Sequence, residues 1–400
     1  ERLGRMGFLF GGSCVTSVDP GMSTNIKFSP IPLVELPTAW LGLGEEMDGF
    51  LDGCNEGKWE DPAFRRVASA LAPWTLRVGG TSVDRSVYTG FRRLAGYRPP
   101  NWDPRAFTPS HFAQLSAFAQ ASGASVIFDL NELFGRPCKY MQQGSSGTPC
   151  NSGVSGRLCW PMCEGKWNLS NAESFLQNGD VKDAVAQGWL AGFEIGNEEL
   201  NVYIPPPRGK LLMSAATADA HSLRNLTEEV WGAVGPPVYG PAMDQCAPDL
   251  ASKYLDGAAT AVDGLSIHSY PGESCDGSVD TTSLAWLQQS VLQADAHAHV
   301  EMCLDATRDA DKKMLVTETN TCYSVTGAAL LMSTFSNGFW YVASLGQYAA
   351  SAVTMLHARW CLSEWIGSPF ATIKRDPSTH ELSVATDFWV AVLHKRLMGA

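Results

Sequence analysis

The sequence predicts an α/β protein of the (β/α)8 TIM-barrel class, with a disulfide-rich insertion after strand 3. Three observations carry that prediction. Short apolar or β-branched runs alternate with longer stretches of helical periodicity along most of the chain, which is the pattern of parallel strands covered by helices. Polar residues follow those runs one after another, where a barrel gathers its chemistry beyond the C-terminal ends of its strands. The 400 residues, 45% of them hydrophobic and 18% charged, suffice to bury one large core.

Seven strands are read directly: Thr75–Val78, Ser125–Leu130, Gly192–Ile195, Pro237–Tyr239, Gly264–Ile267, Met314–Thr317 and Ala352–His357. Each is short and bounded by turn-forming or polar residues. A first, poorly marked strand within Pro37–Phe50 brings the number to the eight that close a barrel. Helical patterns lie between them at Phe64–Leu71, Ser110–Ala121, Leu284–Ala296 and Ala328–Ser351. Periodicity alone does not separate a closed barrel from an open, doubly wound sheet, so the open sheet stands as the alternative. The predicted division is an N-terminal segment over residues 1–36 and a catalytic barrel over residues 37–399, with the insertion at residues 135–166 inside it. No internal repeat is visible.

Composition narrows the functions. A net charge of −12 without any local Lys/Arg run disfavours nucleic acid as a partner. No apolar run approaches the roughly 18 residues of a membrane span. Eleven cysteines are many, and Cys138, Cys150, Cys159 and Cys163 crowd into a Gly/Ser/Pro-rich stretch that cannot hold itself together by burial. Disulfides are the expectation there; a zinc site would want a second close Cys or His pair. With the acceptor sequons at Asn168 and Asn225, the cysteines predict an oxidising location: secreted, extracellular, lysosomal or vacuolar.

The polar residues after the runs are Gly79-Gly80-Thr81, Asn131-Glu132, Asn197-Glu198, His268 with Tyr270, and Glu318. Glycoside hydrolysis needs a carboxylic acid to protonate the departing oxygen and a carboxylate on the other side of the anomeric carbon, about 5–5.5 Å apart when configuration is retained. Glu198 and Glu318, at the ends of strands 4 and 7, are the best candidates for that pair. Asn197 can donate to a sugar 2-hydroxyl and Tyr270 to the Glu318 carboxylate, while His268 taken alone reads as a packing residue. Ordinary helix N-terminal charges are expected among Glu132, Glu194 and Glu199. The pair His297 and His299 reads as a solvated helix face. No phosphate loop, zinc helix or nucleophile elbow is present, and Gly42-Leu-Gly44 lacks the third glycine of a dinucleotide fingerprint, so no cofactor and no metal are implied.

In order and spacing, the segments LAPWTLRVGGTSVD (71–84), VIFDLNELFGR (126–136), GFEIGNEEL (192–200), VYGPAMD (238–244), LSIHSYP (265–271), LVTETNTCY (315–323), GFWYVASLGQYAAS (338–351) and TDFWVAVLHKRLMG (386–399) resemble glycoside hydrolase family 79. That family holds heparanase and the heparanase-like β-glucuronidases of plants, within the clan of barrel glycosidases whose catalytic glutamates sit on strands 4 and 7. The resemblance implies a retaining glycosidase that acts on a glucuronic-acid-containing oligo- or polysaccharide. It implies Glu198 as acid/base, Glu318 as nucleophile and Tyr270 as the tyrosine that steadies it. Asn197, His268, Thr81, Asn131, Tyr323 and Arg359 are expected as substrate-binding or supporting residues. The family's β-sandwich domain is expected to be mostly absent from this chain.

Three departures bear on the sugar. Ser324-Val325 stands where the family has a glycine pair that holds a uronic-acid carboxylate, Trp360 where a glutamine follows the arginine, and Phe370 in the place of a carboxylate-binding tyrosine. The stretches MDQCAPD (243–249) and PGESCDG (271–277) are acidic where heparanase is basic, which disfavours heparan sulfate. Two other readings compete with the glucuronidase. One is a barrel β-glycosidase for another sugar; the other is an inactive carbohydrate-binding protein using an aromatic-rich mouth, which would have no need of two like charges in one cleft.

Overall fold

A computed structural model describes residues 36–51, 58–91, 105–142, 159–200, 211–270, 295–321, 335–351, 355–360, 363–365, 371–376 and 378–398. Eight strands form a closed barrel: β1 (Leu41–Glu46), β2 (Trp74–Gly79), β3 (Ala124–Leu130), β4 (Leu190–Ile195), β5 (Val238–Met243), β6 (Gly264–Ser269), β7 (Lys313–Thr319) and β8 (Met355–Trp360). Each pairs in parallel with its neighbours in chain order, and β1 pairs with β8 from Leu41 opposite His357 to Gly44 opposite Trp360. That last pairing closes the ring and rules out the open sheet.

Period-two alternation sorts each strand into an outer and an inner set. From β2, β3 and β7 the outward set is Trp74, Leu76, Val78, Val126, Phe128, Leu130, Met314 and Val316, all buried in one core against the helices. The inward set is different in kind. Ile127, Tyr239 and Leu315 make a separate apolar plug inside the barrel, and Gly192 leaves room for it, since a Cβ there would fall 2.8 Å from the Tyr239 ring. Toward the strands' C-terminal ends the inward residues become Arg77, Asp129 and Glu194, and Glu318 joins them past a register shift near the end of β7; all four are buried. The barrel is thus packed with hydrocarbon below and charge above.

The helices start and stop where local chemistry dictates. Asp61 caps the helix Pro62–Ala68 by accepting from the Ala63 amide at 2.7 Å. Thr108 and His111 form a capping box on Pro109–Ser122, which ends at Gly123 with φ of 67°. Lys395, on the helix Thr386–Met398, donates from Nζ to the carbonyls of Thr38 and Pro73, tying that helix to the segments that enter β1 and β2. The same helix and its neighbour Phe335–Ala350 expose Trp389, Leu393, Leu397, Phe335, Phe339 and Val342. No helix among the described residues is long and apolar enough to cross a membrane.

After β3 the insertion forms an antiparallel hairpin, Cys138–Gln142 against Cys159–Cys163, closed by a Cys138–Cys163 disulfide. Cys150 lies outside the described residues. A second disulfide that sequence reading did not single out, Cys246–Cys303, joins the segment after β5 to the helix Asp295–Asp309 ahead of β7. Most of the expected helix 284–296, residues 328–334 of the expected helix 328–351, and residues 352–354 of the expected last strand also fall outside the description.

Because it closes a loop of 57 residues, the Cys246–Cys303 bridge should matter to stability. Replacing both cysteines with alanine is expected to lower the unfolding free energy by about 2–4 kcal/mol, as measured by urea denaturation.

Candidate active site

The charged layer is organised by Arg77, which stands at an inward position of β2 between two outward apolar residues. Its Nε donates to Glu194 Oε2 at 2.5 Å, Nη1 to Glu318 Oε2 at 2.9 Å, and Nη2 to Asp129 Oδ2 at 3.1 Å and Asn197 Oδ1 at 3.0 Å. One guanidinium therefore reaches β3, β4 and β7 and the turn after β4. Burial works against its charge, but the carboxylates of Glu194, Asp129 and Glu318 outweigh that and hold it above its ordinary range. Asp129, with one cation shared among several acids, is pushed upward by burial and by its acidic neighbours despite Arg77.

Past β4 the chain turns sharply. Gly196 has φ of 62° and Glu198, not a glycine, has φ of 58°. A side chain in that left-handed region costs roughly 1–2 kcal/mol, and several contacts hold it there. The Glu198 amide donates to the Ala242 carbonyl at 2.9 Å, the Gly196 amide to that of Leu130 at 3.0 Å, and the Asn197 amide to Glu199 Oε1 at 3.1 Å. The turn swings the Glu198 carboxyl over the barrel axis. There His268 Nδ1 lies 2.9 Å from Glu198 Oε1 and 3.9 Å from Glu318 Oε2. Opposite, Tyr270 Oη donates to Glu318 Oε1; burial first, and then the charge of Glu318, raises that phenol well above its usual range.

One polar atom each from Glu198, His268 and Glu318 lie within 4.8 Å of one another. Such a trio has the spacing of metal ligands, but its chemistry points elsewhere. Glu318 already receives Arg77 and Tyr270, and a cation between the glutamates would compete with the guanidinium for the same carboxylate. One oxygen each of Glu198 and Glu318 thus lies close enough for both carboxyls to reach a single glycosidic centre.

A third acid completes the mouth. Glu46, at the end of β1, accepts on Oε1 from the Ser82 amide at 2.7 Å and its hydroxyl at 2.6 Å. Gly80, with φ of 86°, packs so closely on the Glu46 carboxyl that no side chain would fit. Burial, and then the charge of Glu318, raise the Glu46 pKa to about 7.

The expected residues divide as follows. Glu198, Glu318, His268, Tyr270 and Asn197 converge, the Asn197 carboxamide oxygen accepting from Arg77. Thr81 opens the short helical turn after β2, where its neighbour Ser82 engages the acid. Asn131 is buried with its carboxamide on backbone, donating to the Ser86 carbonyl at 2.8 Å and accepting from the Leu133 amide at 2.9 Å, so it supports the loop. Tyr323 lies outside the described residues, as does the side chain of Arg359, which sits on β8. The reading of Glu132, Glu194 and Glu199 as helix N-terminal charges is overturned: all three are fully buried, Glu194 inside the barrel on Arg77. Arg77 and Glu46 were missed. An arginine flanked by apolar residues in a strand core was a visible signal, whereas Glu46 follows the least marked strand.

Comparison with known proteins identifies the family. The family description "Glycosyl hydrolase family 79, N-terminal domain" matches residues 58–346. Heparanase-like protein 3 of Arabidopsis thaliana is 25% identical over 353 residues, covering 84% of this chain and 58% of its own. Heparanase of Mus musculus is 22% identical over 361 residues, covering 84% and 63%. The chain thus spans about three fifths of the length of these relatives. Among solved structures, a 4-O-α-L-rhamnosyl-β-D-glucuronidase from Fusarium oxysporum superposes with a TM-score of 0.57 at 17% identity, over 91% of this chain and 70% of that one. An arabinofuranosidase of family 51 from Xanthomonas axonopodis pv. citri does so with a TM-score of 0.57 at 12% identity, over 90% and 73%.

Two expected outcomes follow from the charges. Arg77→Met, which strips the shared cation from three carboxylates, should cost about 3–5 kcal/mol of stability in denaturant melts. Glu46 binds its proton more tightly folded than unfolded, so it contributes stability at low pH that is lost as pH rises from about 4.5 to about 7. Glu46→Gln should flatten that decline, on the order of 3 kcal/mol, in melts taken across the window.

Proposed function

Because the chain belongs to glycosyl hydrolase family 79, we propose that it is a retaining β-glycosidase using Glu318 as nucleophile and Glu198 as acid/base, with a glucuronic-acid-containing glycan as substrate. The observation that carries this is the convergence of Glu198 and Glu318 within 4.8 Å across the barrel mouth, on either side of His268.

Glu318 attacks the anomeric carbon while Glu198 passes its proton to the departing glycosidic oxygen, leaving a glycosyl ester on Glu318. Water, deprotonated by Glu198, then attacks the same carbon and frees the carboxylate, so two inversions give net retention. Arg77 and Tyr270 each donate to a Glu318 oxygen, which suits a group that alternates between carboxylate and ester. His268, on Glu198 Oε1, orients the proton donor. Asn197, fixed through its oxygen by Arg77, holds the turn that carries Glu198 beside the sugar.

A β-glycosidase acting on a neutral sugar is the second reading. Among the described residues of the mouth the acids Glu46, Glu198 and Glu318 predominate, and Arg77 is already committed to three carboxylates. Ser324-Val325 and Phe370 also depart from the family pattern for a uronate. For location, we propose an oxidising compartment, supported by the two disulfides and by the exposure of both sequon asparagines, Asn168 and Asn225.

The test is hydrolysis of 4-nitrophenyl β-D-glucuronide beside the glucoside, xyloside and galactoside. One of them should turn over, and Glu318→Ala should reduce that turnover by a factor on the order of 10³ or more. Turnover of a neutral glycoside alone would favour the second reading, and turnover undiminished in Glu318→Ala would contradict the mechanism.

A further inference from the structure

Against the turn that carries Glu198 lies a second buried charge cluster that the reaction does not use. Glu132, after β3, is fully buried. Its carboxyl lies directly beneath Gly196: a Cβ on that glycine would fall 2.6 Å from Glu132 Oε2 and 2.7 Å from Glu199 Cγ. The groups facing Glu132 are Asp219 from the helix Met213–Trp231, Glu199 from the turn after β4, Tyr254 from the helix Pro248–Ala258, and Arg136 from its own segment. Arg136 pairs with Asp219, donates through Nε to the Glu132 carbonyl at 3.1 Å, and reaches the carbonyl of Gly165 just beyond the disulfide hairpin. Three carboxyls around one guanidinium cannot all be charged cheaply in a buried site. A proton held by Glu132 and shared with Asp219 relieves the excess and leaves Glu199 to receive the Asn197 amide.

We propose that Glu132 is a positioning residue for Glu198: its uncharged carboxyl, braced through Asp219 and Arg136 against the disulfide hairpin, is the floor on which Gly196 sits, and it sets where Glu198 points. The chain of contacts is short. Glu132 meets Gly196, and Gly196 precedes the Asn197-Glu198 pair whose left-handed turn aims the acid. Burial, then the charges of Asp219 and Glu199, favour the protonated form of Glu132 well above the usual carboxylate range. Ionising it would set a charge against Glu199 directly under the turn.

This proposal rests on the reading of Glu198 as acid/base, and the test separates the two. The variants are Glu132→Leu, which removes the proton donor at similar size, and Glu132→Gln, which keeps a donor. The readout is kcat/KM on a glycoside whose leaving group needs a proton and on a dinitrophenyl glycoside whose leaving group does not, with Glu198→Ala as reference. Glu198→Ala should lose far more on the first substrate than on the second. If Glu132 positions Glu198, Glu132→Leu should show the same asymmetry, about 10–100-fold against less than about 3-fold, and Glu132→Gln should recover most of the loss. An equal loss on both substrates, or none, would overturn the proposal. Absence of the asymmetry in Glu198→Ala would overturn the acid/base reading and the positioning role with it. Independently of activity, the infrared difference spectrum of parent minus Glu132→Gln at neutral pH should contain the C=O band of one protonated carboxyl; a difference spectrum without that band overturns the uncharged floor.

Discussion

One guanidinium inside the barrel governs the rest. Arg77 is buried where its charge has no water to solvate it, and it is tolerable only because Glu194, Asp129 and Glu318 converge on it from three other strands. Those carboxylates are in turn tolerable only because Arg77 is there. This mutual dependence fixes the relative height of β2, β3, β4 and β7 and places Glu318 at a set depth in the mouth. It also reaches Asn197, so the turn carrying Glu198 is referred to the same point. Glu318 directly, and the turn of Glu198 through Asn197, are thus referred to one cation, although the two glutamates stand far apart in the chain.

Below this layer, the apolar plug of Ile127, Tyr239 and Leu315 keeps water from approaching the charges from the bottom of the barrel. Above it, the left-handed turn at Gly196 and Glu198 turns strand direction into side-chain direction. The disulfide hairpin and the Glu132–Asp219–Arg136 cluster flank that turn. Rigid charge in the barrel and a braced turn over it give the mouth a preorganised shape, which catalysis by charge stabilisation requires.

Much of this was legible in the sequence because the physics is local. Alternation of short apolar runs with helical stretches located most of the strands, and the residues just beyond those runs pointed to Asn197, Glu198, His268, Tyr270 and Glu318. Even the donation from Tyr270 to Glu318 could be anticipated from their places on adjacent strands. What was not legible depends on distance in space. Glu194, Glu132 and Glu199 look alike in sequence to any acid at the end of a strand, and only the closed ring shows that each is buried against a particular partner. Arg77 carried a local signal, a charge in a strand core, but its three partners lie 52, 117 and 241 residues away. Closure itself needed the pairing of β1 with β8, to which the weak apolar pattern around Leu41 gave little guide.

The account turns on Glu318 being the group that takes the sugar, held for that purpose by Arg77 and Tyr270. The most direct measurement is mass spectrometry after incubation with the 2-deoxy-2-fluoro analogue of a glycoside that the protein hydrolyses. The account predicts a mass gain of one fluorosugar, released on proteolysis in the peptide that contains Glu318. A label on Glu198 or Glu46, or hydrolysis with inverted configuration and no label at all, would contradict it.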